Sequence, residues 1–223
     1  MSGVDAALPP PLPPAALPPS ALAAEPGAHP RGALTAALRN PLRILELALG
    51  DRPRLLATID TRTDVAILVA VLLLGGILFA LPFGLALGAA RFWDVAVLFE
   101  GSLLICFPAL HVFGVYFGLR VGSLQSLALV AWATCVAALF TFGFAPIQWF
   151  LTLTMQTGDL IAACDLAIVL LVVALLAGIA TLLHAARRSP LAGWRRAGLP
   201  LVAVWLALFA FITYRMARLL ALL

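Results

Sequence analysis

The 223-residue chain is 64% hydrophobic and only 11% charged, with a mean hydropathy of +1.10. Soluble domains carry about 25% charged residues, so this composition excludes a soluble globular protein and a disordered chain. The 14 arginines outnumber the 10 acidic residues and give a net charge of +4, and the chain contains no lysine. Because these arginines lie mostly between apolar runs, we expect them to set membrane topology and not to bind nucleic acid.

The chain begins with a segment rich in proline and alanine. Residues 1–32 hold nine of the 16 prolines, a composition that favours extended polyproline II and cannot form a packed core. We therefore predict a disordered cytoplasmic tether. The P-x-x-P match at Pro11 to Pro14 leaves a docking site for a groove-bearing partner as the alternative. The segment lacks a basic n-region and a compact apolar core, so we expect no cleavable signal peptide.

Residues 33–63 alternate leucine and alanine with arginine. Pro41 and Pro53 suit the first turns of two short helices. Apolar side chains recur from Leu42 onwards, while Arg43 and Glu46 are polar. We predict interfacial amphipathic helices on the inner face of a membrane, with a soluble linker helix as the alternative.

Five continuous apolar runs follow, each near the ~20 residues that a helix needs to cross ~30 Å of hydrocarbon. Their continuity favours helices over the strands of a membrane barrel, in which apolar and polar residues alternate. The predicted fold class is an all-α polytopic membrane protein with a five-helix transmembrane domain over residues 64–223. The predicted spans cover residues 64–89, 94–117, 124–153, 160–183 and 199–220.

Arginine is distributed unequally among the segments between these runs. Eleven arginines fall in segments that would share a side with the N-terminus, and three fall on the other side. The positive-inside rule then places the N-terminus in the cytoplasm and the C-terminus outside. Because arginine codons are GC-rich, the absence of lysine fits a GC-rich bacterial genome, and we expect the bacterial inner membrane.

Four ionisable side chains fall inside predicted spans, where such groups are costly: Glu100, His111, Asp165 and Arg215. The carboxylates of Glu100 and Asp165 and the guanidinium of Arg215 would share the outer layer of the membrane. These three groups suit a proton- or ion-handling site, or, more simply, an ion pair that fixes helix register. His111 lies eleven residues after Glu100, on nearly the same helix face. We expect a histidine hydrogen-bonded to a neighbouring helix, with a proton relay as the alternative.

Two G-x-x-x-G motifs predict that helices pack closely, since small residues let backbones approach each other in membranes. They join Gly84 to Gly88 and Gly114 to Gly118.

Motifs of catalytic chemistry are absent from the sequence. It contains no H-E-x-x-H, G-x-S-x-G or Walker A pattern. Its three cysteines, Cys106, Cys135 and Cys164, form no C-x-x-C pair and suit packing. We therefore expect no enzymatic activity, no cofactor and no metal site.

The stretch GLRVGSLQSLALVAWATCVAALF, with Gly and Ser in a short loop before Gln125, resembles the entry to the third helix of the Yip1 family. Trp132 stands where that family tends to have tyrosine. Five spans, a Pro-rich cytoplasmic region and a short outer C-terminus are also similar.

The stretches ICFPALHVFGVYFGLRVGSLQSLAL and FAPIQWF resemble bacterial five-span proteins. Some of these are labelled as containing an actin-binding WH2 domain, whose basic motif this chain lacks. The resemblance covers residues 64–223 at most and implies a membrane-trafficking or membrane-organising role without catalysis.

Two functions from different classes follow. The first is a non-catalytic membrane anchor, scaffold or organiser, whose partners are the lipid bilayer and a further protein or a second copy of the chain. The alternative is a small proton- or ion-coupled transporter or channel that uses Glu100, His111, Asp165 and Arg215.

Overall fold

The computed structural model describes residues 30–50, 55–56, 58–59, 64–116, 122–154, 160–188 and 199–220. These residues form seven α-helices: α1 (Pro30–Arg39), α2 (Pro41–Leu45), α3 (Val65–Leu87), α4 (Asp94–Tyr116), α5 (Ser123–Thr154), α6 (Leu160–Arg188) and α7 (Leu199–Leu219). A π-helical turn, Glu46–Gly50, follows α2, and a 3-10 turn, Ala89–Arg91, precedes α4. The predicted tether falls almost wholly outside the described residues, as does the predicted helix start at Pro53.

The prediction of an all-α membrane protein is confirmed in its coarser form. Among the described residues, four helical segments are long and apolar enough to cross a membrane: Val65–Leu87, Ala89–Tyr116, Ser123–Thr154 and Leu166–His184. The sequence predicts five. The fifth predicted run coincides with α7, a helix of 21 residues. Pro82, Pro108 and Pro146 lie inside α3, α4 and α5.

Helix α5 occupies the centre of the bundle and runs parallel to α3. Its residues from Gln125 to Leu139 are almost continuously buried. Near the end at which α3 finishes, the Thr152 hydroxyl donates a hydrogen bond to the Ala86 carbonyl at 3.0 Å. We call the end of the bundle at which α3 finishes the Gly88 end, after the residue that caps α3 there. The opposite end, at which α3 starts, is the Asp64 end.

Helices α6 and α7 complete the bundle by close approaches to α5 and α4. A Cβ added at Gly178 of α6 would lie only 2.5 Å from the Ala133 carbonyl oxygen of α5. Contacts of this kind hold helices together where lipid removes the hydrophobic driving force. In α7, the Trp205 indole Nε1 donates a 2.9 Å hydrogen bond to the Cys106 carbonyl of α4.

The described part of residues 30–59, which we call the N-terminal arm, packs into the bundle. Ile44 is 1% exposed, and its Cγ2 lies 2.8 Å from where a Cβ on Gly75 would stand. The Trp132 indole donates a 2.9 Å hydrogen bond to the Ala48 carbonyl. Since Gly75 is the eleventh of 23 residues in α3, the arm reaches the middle of that helix.

Two features hold the arm against the bundle: Gly75 leaves a notch in α3, and Trp132 of α5 offers a buried donor. The interfacial position predicted for residues 33–63 stays a prediction. Ile44 fills the notch, and the Ala48 carbonyl accepts from the donor. Ile44 therefore packs on protein and not on lipid, although Leu42, two residues earlier, is 68% exposed.

Candidate functional site

The carboxyl group of Glu100 lies inside the bundle, between α3, α4 and α5. A Cβ added at Gly76 would collide with Glu100 Oε1 and would stand 4.0 Å from the Cys135 Cα of α5. Oε1 is buried and finds no hydrogen-bond partner among the described residues. A buried polar atom without a partner is uncommon in native proteins and costs stability. Glu100 is therefore the strongest candidate for a functional group in the bundle.

The turn between α3 and α4 explains the depth of this carboxyl. Gly88 ends α3 with a φ of 137°, which favours glycine. The chain then folds back so closely that a Cβ on Gly84 would lie 2.5 Å from the Phe92 carbonyl oxygen. Helix α4 thus starts beside the last turn of α3. Glu100, six residues further, reaches Gly76, which is the twelfth of the 23 residues in α3.

The same turn assigns a role to the first G-x-x-x-G motif. At Gly84 the close approach is to backbone of the turn, and the space around a Cβ on Gly88 is open. These two glycines shape the connection between α3 and α4 and do not bring a distant helix close. In the second motif, Gly114 is buried in α4, and Gly118 lies outside the described residues.

Arg215 does not reach Glu100. It is exposed on α7, and that helix contacts α4 through the next residue, Met216. The Met216 Cε lies 2.8 Å from where a Cβ on Gly101 would stand, and the Ser102 hydroxyl lies 3.5 Å from the Met216 sulfur. Because Glu100 points towards α3, no ion pair between it and Arg215 occurs in the described structure, in contrast to the pair predicted from the sequence.

His111 stands apart from Glu100. The His111 ring is half-buried and stacks on Phe107 one turn earlier in α4, with ring centroids 6.2 Å apart. Eleven residues separate it from Glu100, or about 16 Å along a helix, which is too far for direct proton transfer. Asp165 lies in the second turn of α6, and its side chain falls outside the described residues.

A glycine pair in α3 that the sequence analysis passed over makes room for the site. The adjacent glycines Gly75 and Gly76 of α3 leave room for Ile44 and Glu100 respectively, and both lie close to Cys135 of α5. At the Asp64 end, the Gln125 Nε2 donates a 2.6 Å hydrogen bond to the Ile59 carbonyl. The glycine pair in the middle of an apolar run was the sequence signal for this close contact. Glycine in a helix interior lowers stability, and close packing against the glycine offsets that loss.

No three metal-ligating side chains come together within the described ranges. No family model matches this sequence, and neither a curated protein nor a solved structure is similar to it. The functional argument therefore starts from the arrangement of the arm and of Glu100.

Proposed function

We propose that the chain is a non-catalytic integral membrane protein that anchors or organises partner proteins through its N-terminal region. In this proposal α7 is the fifth span, the membrane is the bacterial inner membrane, and the N-terminus is cytoplasmic. At ~1.5 Å per residue, the 21 residues of α7 extend over about 31 Å, which suits the hydrocarbon thickness. The resemblance to the Yip1 family points the same way.

The observation that carries the proposal is the docking of the N-terminal arm. Three contacts fix it to α3 and α5: Ile44 in the notch at Gly75, the Ala48 carbonyl on Trp132, and the Ile59 carbonyl on Gln125. A partner bound to the Pro-rich residues 1–29 would be attached to the bundle through a packed element. On the arm, the side chains of Leu42, Arg43 and Glu46 remain exposed and offer further contacts.

The test is affinity purification of the tagged protein from native membranes in a mild detergent, followed by native-gel sizing and mass spectrometry. We would compare the full chain with a deletion of residues 1–29, which keeps the arm because Ile44 and Ala48 belong to the buried core. A point variant of the full chain with Pro11→Ala and Pro14→Ala tests whether the P-x-x-P match is the docking site, in which case it loses the same partner. A stoichiometric partner that the deletion loses, while the bundle keeps its size and stability, is the expected result. No partner with either chain would refute the anchoring function, and a partner retained after the deletion would refute attachment through residues 1–29.

A second candidate function, proton or ion transport, is favoured by the unpartnered Glu100 carboxyl near the middle of α3. Ionisable groups at that depth commonly handle protons or ions. The test is flux into liposomes with Glu100→Gln, which keeps the size of the side chain, against Glu46→Gln at an exposed position. Transport requires flux that only the first variant abolishes. Equal flux in both variants, or none in the unaltered protein, would exclude it.

A further inference from the structure

The N-terminal arm follows α5 from the Asp64 end of the bundle towards its middle. The Ile59 carbonyl accepts a hydrogen bond from Gln125, the third residue of α5. The Ala48 carbonyl accepts one from Trp132, the tenth residue of the same helix. These two contacts lie about 10 Å apart along the helix, so the arm stays beside α5 over about two turns.

Ile44 brings the arm to the level of Glu100. Its Cγ2 lies 2.8 Å from where a Cβ on Gly75 would stand, and the Cys135 Sγ of α5 lies 3.1 Å from the same point. The next residue of α3, Gly76, makes room for the Glu100 carboxyl, and its α5 neighbour is again Cys135. The arm and Glu100 therefore contact adjacent residues of α3 at the place where α3 meets Cys135.

The arm closes the seam between α3 and α5 with apolar side chains. Ile44, Ala48, Leu55 and Ile59 are each at most 1% exposed. Although Glu100 is half-buried as a residue, its Oε1 is buried and finds no hydrogen-bond partner among the described residues. A water molecule at Oε1 would supply the missing hydrogen bond, since a buried oxygen without a partner lowers stability. The docked arm thus leaves the carboxyl in a state that hydration would stabilise.

The order of the arm depends on its docking. Helix α1 has ten residues, α2 has five, and the π-helical turn has five. Helices this short are not stable alone in water, and elements held by few contacts open at a lower free energy than a whole bundle does. The arm can therefore leave the seam while α3, α4 and α5 stay folded.

We propose that the N-terminal arm is a releasable strap that keeps water out of the seam between α3 and α5 and so away from Glu100. When the arm undocks, Ile44 leaves the notch, and the contact between α3 and Cys135 loosens because the neighbours of a new cavity relax partly into it. Water then enters from the Asp64 end and reaches Oε1. In transport the docked arm would be inhibitory, and this consequence rests on the second candidate function, transport through Glu100.

The first experiment measures the access of water to Glu100 and needs no transport. The full chain in a mild detergent is treated with a water-soluble carbodiimide and glycine ethyl ester, which convert accessible carboxyl groups to amides. Peptide mass spectrometry then gives the labelling rate at Glu100. Ile44→Ala and Trp132→Phe each remove a contact of the arm, and we expect each to raise this rate about 10-fold.

Two matched controls separate release of the arm from general loosening. Leu42→Ala changes a side chain that is 68% exposed on the same short helix as Ile44. Trp205→Phe removes an indole donor whose 2.9 Å hydrogen bond joins α7 to α4, away from the arm. Both controls should label at the rate of the unaltered chain. Equal rates in Trp132→Phe and Trp205→Phe would overturn the proposal.

A reversible lock tests the same step within one protein. Ile44→Cys places a thiol beside Cys135, because Ile44 Cγ2 and Cys135 Sγ lie 2.8 and 3.1 Å from the same point. Replacing Cys106 and Cys164 with alanine leaves one pair of thiols in the chain. We expect oxidation to keep the labelling of Glu100 at the rate of the unaltered chain, and reduction to raise it about 10-fold. Equal rates in the two states, or no disulfide at all, would overturn the strap.

Flux into liposomes distinguishes failure of the strap from failure of transport. If Glu100 carries protons or ions, the reduced lock should conduct about 10-fold faster than the oxidised lock. Labelling that responds to the arm, with no flux in any variant, would support the strap and refute transport alone. Labelling that ignores the arm would overturn the strap, even where Glu100→Gln abolishes flux.

Discussion

Replacing Ile44 with alanine tests the docking of the arm most directly. The side chain is 1% exposed and rests in the notch at Gly75. Truncating a buried isoleucine to alanine costs about 2–5 kcal/mol, because packing contacts are lost and a cavity remains. Leu42→Ala is the matched control, since that side chain is 68% exposed on the same short helix. We expect it to change the free energy of unfolding by about 0.5 kcal/mol or less.

The notch allows a sharper test by a double-mutant cycle. A Cβ on Gly75 would stand 2.8 Å from Ile44 Cγ2 and 3.1 Å from Cys135 Sγ. Gly75→Ala alone should therefore destabilise by about 1–3 kcal/mol through overpacking. In the Ile44→Ala background the collision between the added Cβ and Ile44 Cγ2 disappears. The methyl group that Gly75→Ala adds then occupies part of the cavity that the truncated isoleucine leaves. The double variant should then be more stable than the sum of the single effects, by about 0.5–3 kcal/mol.

The assay is unfolding in detergent micelles by titration with a denaturing detergent, followed by tryptophan fluorescence. A parallel trypsin digestion reports release of the arm, because trypsin cleaves after Arg39 and Arg43, which are exposed but held in helices. Ile44→Ala should speed this cleavage, and Leu42→Ala should not. Equal effects of the two alanine variants, together with an additive cycle at Gly75, would show that the arm does not pack in the notch.

Two further predictions concern buried backbone oxygens. Trp132→Phe removes the donor to the Ala48 carbonyl and should cost about 1–3 kcal/mol in the same titration; an unchanged midpoint would contradict the hydrogen bond. Gly178→Ala places a methyl group 2.5 Å from the Ala133 carbonyl oxygen and should separate α5 from α6, with a large loss of stability. At the exposed Gly143 of α5 an added Cβ meets nothing within 4 Å, so Gly143→Ala should be neutral or stabilise by about 0.5–1 kcal/mol; similar losses in the two glycine variants would refute the packing argument.

Local sequence predicted the helices well because each apolar run is long enough to decide its own conformation. Helix α3, for example, is apolar on all sides, as a membrane or fully buried helix must be. The position of the arm depends instead on distant partners. Ala48 and Ile59 accept from side chains 84 and 66 residues away. An amphipathic pattern reports that one face is buried, but it does not distinguish lipid from protein as the material that buries it.

The candidate site shows the same limit. Composition singled out Glu100, since a carboxyl inside an apolar run is costly wherever it points. The residues around Glu100 depend on the tight turn at Gly84, which sets the position of α4 along α3. They also depend on which face of α4 meets α7. The sequence therefore predicted the residue, but not its position against Gly76, and it predicted a contact with Arg215 that the described residues do not make.

The docking of the arm dictates an order of assembly during synthesis. Ala48 leaves the ribosome 84 residues before Trp132, the residue that it accepts a hydrogen bond from. At about 5–20 residues per second this is a delay of roughly 4–17 s. Throughout that time the arm's own apolar side chains have no α5 to pack against. The arm is thus made before the bundle that it packs into, and it reaches its final position only after α5 has been made.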